Sequence, residues 1–98
     1  MKSNHNPLEK DIEKKVCDYA KSLGCLVYKF TSPSRRSVPD RIFIAPGGHV
    51  WWIEFKRLGL KPTPGQEVEI EKIRSKRGIV WVVDNVEEGE QVIDLETL

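Results

Sequence analysis

Two stretches of this chain are apolar at successive positions instead of at every second one. Residues 41–45 (RIFIA) and 49–55 (HVWWIEF) are β-branched and aromatic, and Pro46-Gly47-Gly48 between them has turn chemistry. They are expected to pair as an antiparallel hairpin, covered on both faces as central strands are. Upstream, Leu8, Ile12, Val16, Tyr19, Ala20 and Leu23 recur at helical spacing until Gly24. Asn6 reads as the N-cap of that helix, Pro7 as its first residue and Glu9 as a capping-box acid. Residues 25–30 (CLVYKF) alternate weakly and predict the first strand, and residues 31–38 form a polar loop without periodicity. Thr63-Pro64-Gly65-Gln66 has the form of a second helix start, running to about Lys76 or Arg77 with Ile70 and Ile73 inward and stopped by Gly78. Residues 79–83 (IVWVV) predict another central strand. Beyond Asn85, residues 86–90 read as a helical turn and residues 91–95 as either a short edge strand or a helix. The expected order is α-β-β-β-α-β: one α/β domain over residues 1–98, with its core in about residues 8–84.

Three charges interrupt the hairpin where a buried strand should be apolar. Glu54 and Lys56 are two residues apart, so they project from the same face about 6.5 Å from each other. With a three-residue loop at 46–48, Phe43 faces Trp51 and Asp40 falls opposite Glu54; a two- or four-residue loop would set Asp40 opposite Phe55 and send the two carboxylates to different faces. In the first register, two carboxylates about 5 Å apart repel each other and cannot both ionise cheaply without a cation. Hard oxygen donors of this kind suit Mg²⁺ or Mn²⁺, and Lys56 beside them could hold a water or neutralise charge on phosphate oxygens. The set has the chemistry of metal-assisted phosphodiester hydrolysis.

Pro39-Asp40, a 13-residue gap and Glu54-Phe55-Lys56 resemble the PD-(D/E)XK nuclease signature. The compact size, the PGG turn and the downstream Thr-Pro-Gly-Gln are similar to its VRR-NUC branch, the virus-type replication and repair nucleases, over roughly residues 8–84. The resemblance implies a restriction-endonuclease-like core with a mixed central sheet flanked by helices. It implies a Mg²⁺ or Mn²⁺ site made by Asp40, Glu54 and the backbone carbonyl of Phe55, with Lys56 as the catalytic lysine. It also implies a glutamate on the first helix leaning over the metal as an outer or water-mediated ligand. Glu9 matches that pattern by its spacing to Ile12 and Gly24, with Glu13 as the alternative; a plain capping role for Glu9 stays open. Gln66 would sit beside the lysine, although capping alone accounts for it. Family members usually carry Gly where this chain has Ser37. Stand-alone members act as homodimers on branched DNA such as Holliday junctions, which makes structure-selective endonuclease activity the expected function. The alternatives are a non-catalytic nucleic-acid-binding subunit of the same fold and, more remotely, a nuclease acting on RNA or linear ends.

Composition changes this picture little. Residues 84–98 hold six acids and no base, so sixteen bases face nine acids in residues 1–83, a net +7 beneath an overall +1. Arg35 and Arg36 ahead of Asp40, and Arg57 and Lys61 after Lys56, are candidate DNA contacts; solvated loop positions are the plainer account of the first two. Cys17 and Cys25 lack metal-ligand spacing and read as reduced thiols of a cytoplasmic protein, and the resemblance implies a phage or bacterial one. His5 and His49 lack partners at metal spacing, and Trp51 and Trp52 read as core or subunit contacts. No internal repeat, Gly-rich phosphate loop or nucleophile elbow is visible, and no signal peptide, membrane span or small-molecule cofactor is expected.

Overall fold

Residues 8–32 and 37–98 are described by a computed structural model. The elements follow the order α1 (Glu9–Ser22), β1 (Leu26–Lys29), β2 (Arg41–Ile44), β3 (Val50–Phe55), α2 (Pro64–Ser75), β4 (Val80–Val83) and α3 (Val86–Glu96). The expected α-β-β-β-α-β order is present, with α3 added after it. The strands form one mixed sheet in the order β1-β2-β3-β4. The first three run antiparallel, and β4 lies parallel to β3 after the crossover through α2.

Hairpin register follows the three-residue loop. Ala45 and Gly48 close the turn with a 2.8 Å bond from the Gly48 N–H to the Ala45 carbonyl, and Gly48 takes the left-handed φ of 95° that a side chain would resist. Phe43 then faces Trp51, and Arg41 faces Ile53. One step further out, Asp40 lies opposite Glu54 and on the same sheet face.

Helices cover the sheet unequally. Phe43, Trp51, Ile53, Phe55 and Val83 pack with Ile12, Val16 and Ala20 of α1 and with Val92 and Ile93 of α3 in a single core cluster. On the other face lie Leu26, Tyr28, Ile42, Ile44, Val50 and Trp52, as the register requires. Leu26 and Tyr28 are 53% and 54% exposed, and the other four are only half-buried. The expectation of cover on both faces is therefore corrected: α2 reaches the β4 side of this face, burying Ile70 and Val80, and leaves the β1–β2 side open.

Two local expectations are also corrected, and one left open between strand and helix is decided. Helix α1 begins at Glu9 with Leu8 at its N-cap and no side-chain cap, so Glu9 is the first helical residue and not a capping-box acid; Asn6 and Pro7, like His5, lie outside the described residues. Residues 86–96 form one continuous helix and no edge strand. Its Asn85 side chain accepts the Glu88 N–H at 2.8 Å, and Glu96 ties it to the hairpin by pairing with His49 at 2.6 Å and to β4 by accepting the Trp81 indole N–H at 2.8 Å. At the end of α2 the left-handed residue is Arg77, with φ 68°. Gly78 is needed for a different reason: a Cβ there would stand 2.3 Å from the Ile73 side chain. Among the described residues no helix is long and apolar enough to cross a membrane, and Cys17 and Cys25 are free, buried thiols.

Candidate active site

The polar residues gather at one end of the sheet. Asp40 precedes β2, Glu54 and Phe55 end β3, and Lys56 follows at once, its N–H donating to the Val83 carbonyl of β4 at 2.9 Å. Asp40 is fixed by accepting the Phe55 N–H at 2.9 Å, which stitches the two strands together exactly where their ladder ends. Lys56 Nζ lies 3.5 Å from Glu54 Oε2, as expected of residues two apart on one strand.

Gln66 arrives from the start of α2 and uses both ends of its amide. Its Oε1 accepts the Thr63 N–H at 2.9 Å while Thr63 Oγ1 accepts the Gln66 N–H at 3.2 Å, a complete capping box. Its Nε2 donates to Glu54 Oε2 at 3.0 Å. Capping and contact with the site, which the sequence set against each other, are one arrangement: the cap holds the amide in place and its free end reaches the carboxylate.

Glu54 is 1% exposed. One of its oxygens, Oε2, takes both Gln66 and Lys56, while Oε1 is buried without a hydrogen-bond partner among the described residues. A buried carboxylate oxygen in that condition is costly. Burial first, then repulsion from Asp40, push the Glu54 carboxyl up to about 7 against the pull of Lys56. Asp40 is likewise raised, chiefly by burial, although the Phe55 N–H opposes the shift. Glu9, half-buried at the head of α1, is raised by burial and then by Asp40, and it also feels Lys56, so the first helix delivers a third acid to the same electrostatic field. These residues fit a hard divalent cation. Asp40 and Glu54 would be its side-chain donors, with one oxygen of Glu54 unclaimed. Among the described residues no three His, Cys, Asp or Glu side chains are grouped so that they could hold a metal ion by themselves.

The alternative acid, Glu13, is in the same field, where it raises Asp40, but its carboxylate accepts from Arg41 Nε, fastening α1 to β2 beside Asp40. This pair was missed in the sequence, as was Lys29, which lies across from Arg41 and within electrostatic reach of Asp40. Of the candidate DNA contacts, Arg57 and Lys61 are exposed on the loop after β3, and Arg35 and Arg36 lie outside the described residues.

No profile of a known protein family matches the chain. It is 39% identical over 77 residues to "Putative nuclease p44" of Acyrthosiphon pisum secondary endosymbiont phage 1, an alignment covering 79% of this chain and 83% of that protein. A solved structure described as "VRR_NUC domain" superimposes with a TM-score of 0.81 at 31% identity, covering 88% of this chain and 94% of the other. The chain belongs to the VRR-NUC family. A second solved structure, "VRR_NUC domain protein", has a TM-score of 0.75 at 18% identity and shares the fold. In this VRR-NUC domain the Asp40, Glu54 and Lys56 side chains lie where the hairpin register and the β3–β4 pairing bring three strand ends together.

Proposed function

We propose that this VRR-NUC domain is a divalent-metal-dependent DNA endonuclease that nicks branched DNA such as Holliday junctions, acting as a homodimer. The carrying observation is Glu54: a buried carboxylate beside a second one, with one oxygen held by Gln66 and Lys56 and the other without a partner among the described residues. Asp40, Glu54 and the Phe55 carbonyl would hold Mg²⁺ or Mn²⁺, with Glu9 as an outer or water-mediated ligand. Bound there, such an ion supplies Lewis acidity at the phosphate and lowers the pKa of its water.

The chain's own residues do the rest. Lys56 orients the attacking water and neutralises charge on the non-bridging phosphate oxygens. Gln66 holds Glu54 so that Lys56 keeps its distance from it, and Asp40 is braced by the β3 backbone. In-line attack then leaves a 5′ phosphate and a 3′ hydroxyl. Arg35, Arg36, Arg57 and Lys61 grip the backbone of the DNA without reading its sequence. A four-way junction needs two symmetric cuts and each chain offers one site, which is the physical case for a two-fold dimer. Free buried cysteines accord with a reducing, cytoplasmic setting.

The test is incubation with a labelled four-way junction, a flap and plain duplex, in Mg²⁺, Mn²⁺ or chelator. Nicking of the branched substrates that needs the metal and disappears in Asp40→Ala supports the enzyme. Binding without cleavage, unchanged by that substitution, would leave a binding module instead, and a monomer in gel filtration at micromolar concentration would remove the paired-cut reading.

A further inference from the structure

The loop that follows Lys56 has features that phosphate contact does not require. In Arg57-Leu58-Gly59-Leu60-Lys61, the Leu60 N–H bonds the Arg57 carbonyl at 3.0 Å and Gly59 adopts a φ of 85°, the arrangement of a tight turn with glycine at its third position. Asp84, just past β4, accepts the Gly59 N–H at 2.9 Å, and this bond holds the Asp84 carboxyl below the usual range. The turn is therefore pinned to the sheet. Pinning is used here to present apolar side chains: Leu58 is 43% exposed and Leu60 53%. Single exposed leucines are ordinary. Two of them on an anchored turn, between an exposed arginine and an exposed lysine, and within four residues of the candidate catalytic amine, form a specific combination.

We propose that Leu58 and Leu60 are a wedge that enters the base stack at the branch point of the DNA while Arg57 and Lys61 hold the phosphates on either side. Apolar side chains driven between base steps unstack and kink a duplex, and flanking cations are what such a wedge needs to stay seated on a polyanion. A branch point is the place where that insertion costs least, because stacking is already broken there. The wedge rests on the nuclease reading and gives it a source of structure selectivity: the same turn that unstacks the bases sits beside Lys56, so the phosphate next to the opened step is the one delivered for cutting.

The experiment places 2-aminopurine next to the branch point of a four-way junction and reads its fluorescence on addition of protein in chelator, where no cleavage occurs. Wild type should raise the signal, and the Leu58→Ser, Leu60→Ser double variant should lose that rise. In Mg²⁺ the double variant should cut the junction about tenfold more slowly, the scale of one lost base-step interaction. A junction with unpaired bases already built into its branch point should recover most of that deficit, which a misfolded protein would not show. An unchanged signal in the double variant overturns the wedge, and so does dissociation of the variant to a smaller species without DNA, since the leucines would then belong to contact between copies. Unstacking by a wild type that never cuts would keep the wedge and remove the nuclease; cutting without unstacking would do the reverse.

Discussion

The two faces of the sheet are built to different standards. Against one, α1 and α3 seal Phe43, Trp51, Ile53, Phe55 and Val83 away from water; on the other, α2 covers a single side, and the acids, the amine and a row of half-buried apolar residues share what remains. A small chain has few helices to distribute, and of the three among the described residues two lie on the face away from Asp40, Glu54 and Lys56, with Glu9 at the head of α1 reaching toward the site. Stability is thus concentrated on one side and reactivity on the other, so substitutions on the two sides should have separable effects.

The largest effect is expected from the sealed face. Phe43 stacks on Trp51 with ring centroids 5.4 Å apart, and Phe43→Ala should cost about 3–5 kcal/mol in chemical denaturation. A loss under 1 kcal/mol would mean that this side is not the stabilising one. Next, Lys56→Ala should slow cleavage about 10²- to 10³-fold while barely moving the melting temperature. Parallel losses of fold and activity would merge the two faces into one.

The third effect joins the faces through pH. The Glu54 carboxyl is pushed up to about 7 in the fold from 4.5, so between those values the folded chain binds a proton that the unfolded chain releases. Its stabilising contribution is complete below about pH 4.5 and lost as pH rises through about 7, up to about 3 kcal/mol in metal-free buffer. Asp40 and Glu9, also raised, act in the same direction. Metal-free melting temperatures should therefore fall from pH 5 to pH 8, and Glu54→Gln should flatten that slope and abolish cleavage. A wild type that gains stability with rising pH would contradict the assignment. The smallest effect belongs to the open side of the reactive face, where Leu26→Ser and Tyr28→Ser should each shift monomer stability by no more than about 0.5 kcal/mol.

The hairpin and its acids were legible in the sequence because strand geometry leaves little choice. Once the turn occupies three residues, Asp40 must face Glu54, and Lys56 must share a face with Glu54. Gln66 was legible for a similar reason, since its helix start has a fixed form. The tail was not. Its acids and Gly89 obscure an apolar stripe of Val86, Val92 and Ile93, and glycine inside a helix counts against a helix. The start of α1 was misplaced because Asn6 and Pro7 have the chemistry of a cap, whereas the helix begins at Glu9 without one. The open face was hidden because Ile42, Ile44 and Trp52 would look the same under a third helix. Pairings across the fold, such as Glu13 with Arg41, leave no local trace at all.

Gly89 has a consequence that reaches beyond α3. A Cβ at this position would stand 2.4 Å from the Val16 side chain and 3.1 Å from that of Val83, so its bareness sets how closely α3 can lie against both α1 and β4, and added bulk would press on α1. Glu9 rides on the same rigid rod as Val16. How deeply that carboxylate leans toward its strand-borne neighbours is thus governed from the far end of the polypeptide, and any bulk gained at 89 would retune the acid's approach without touching it.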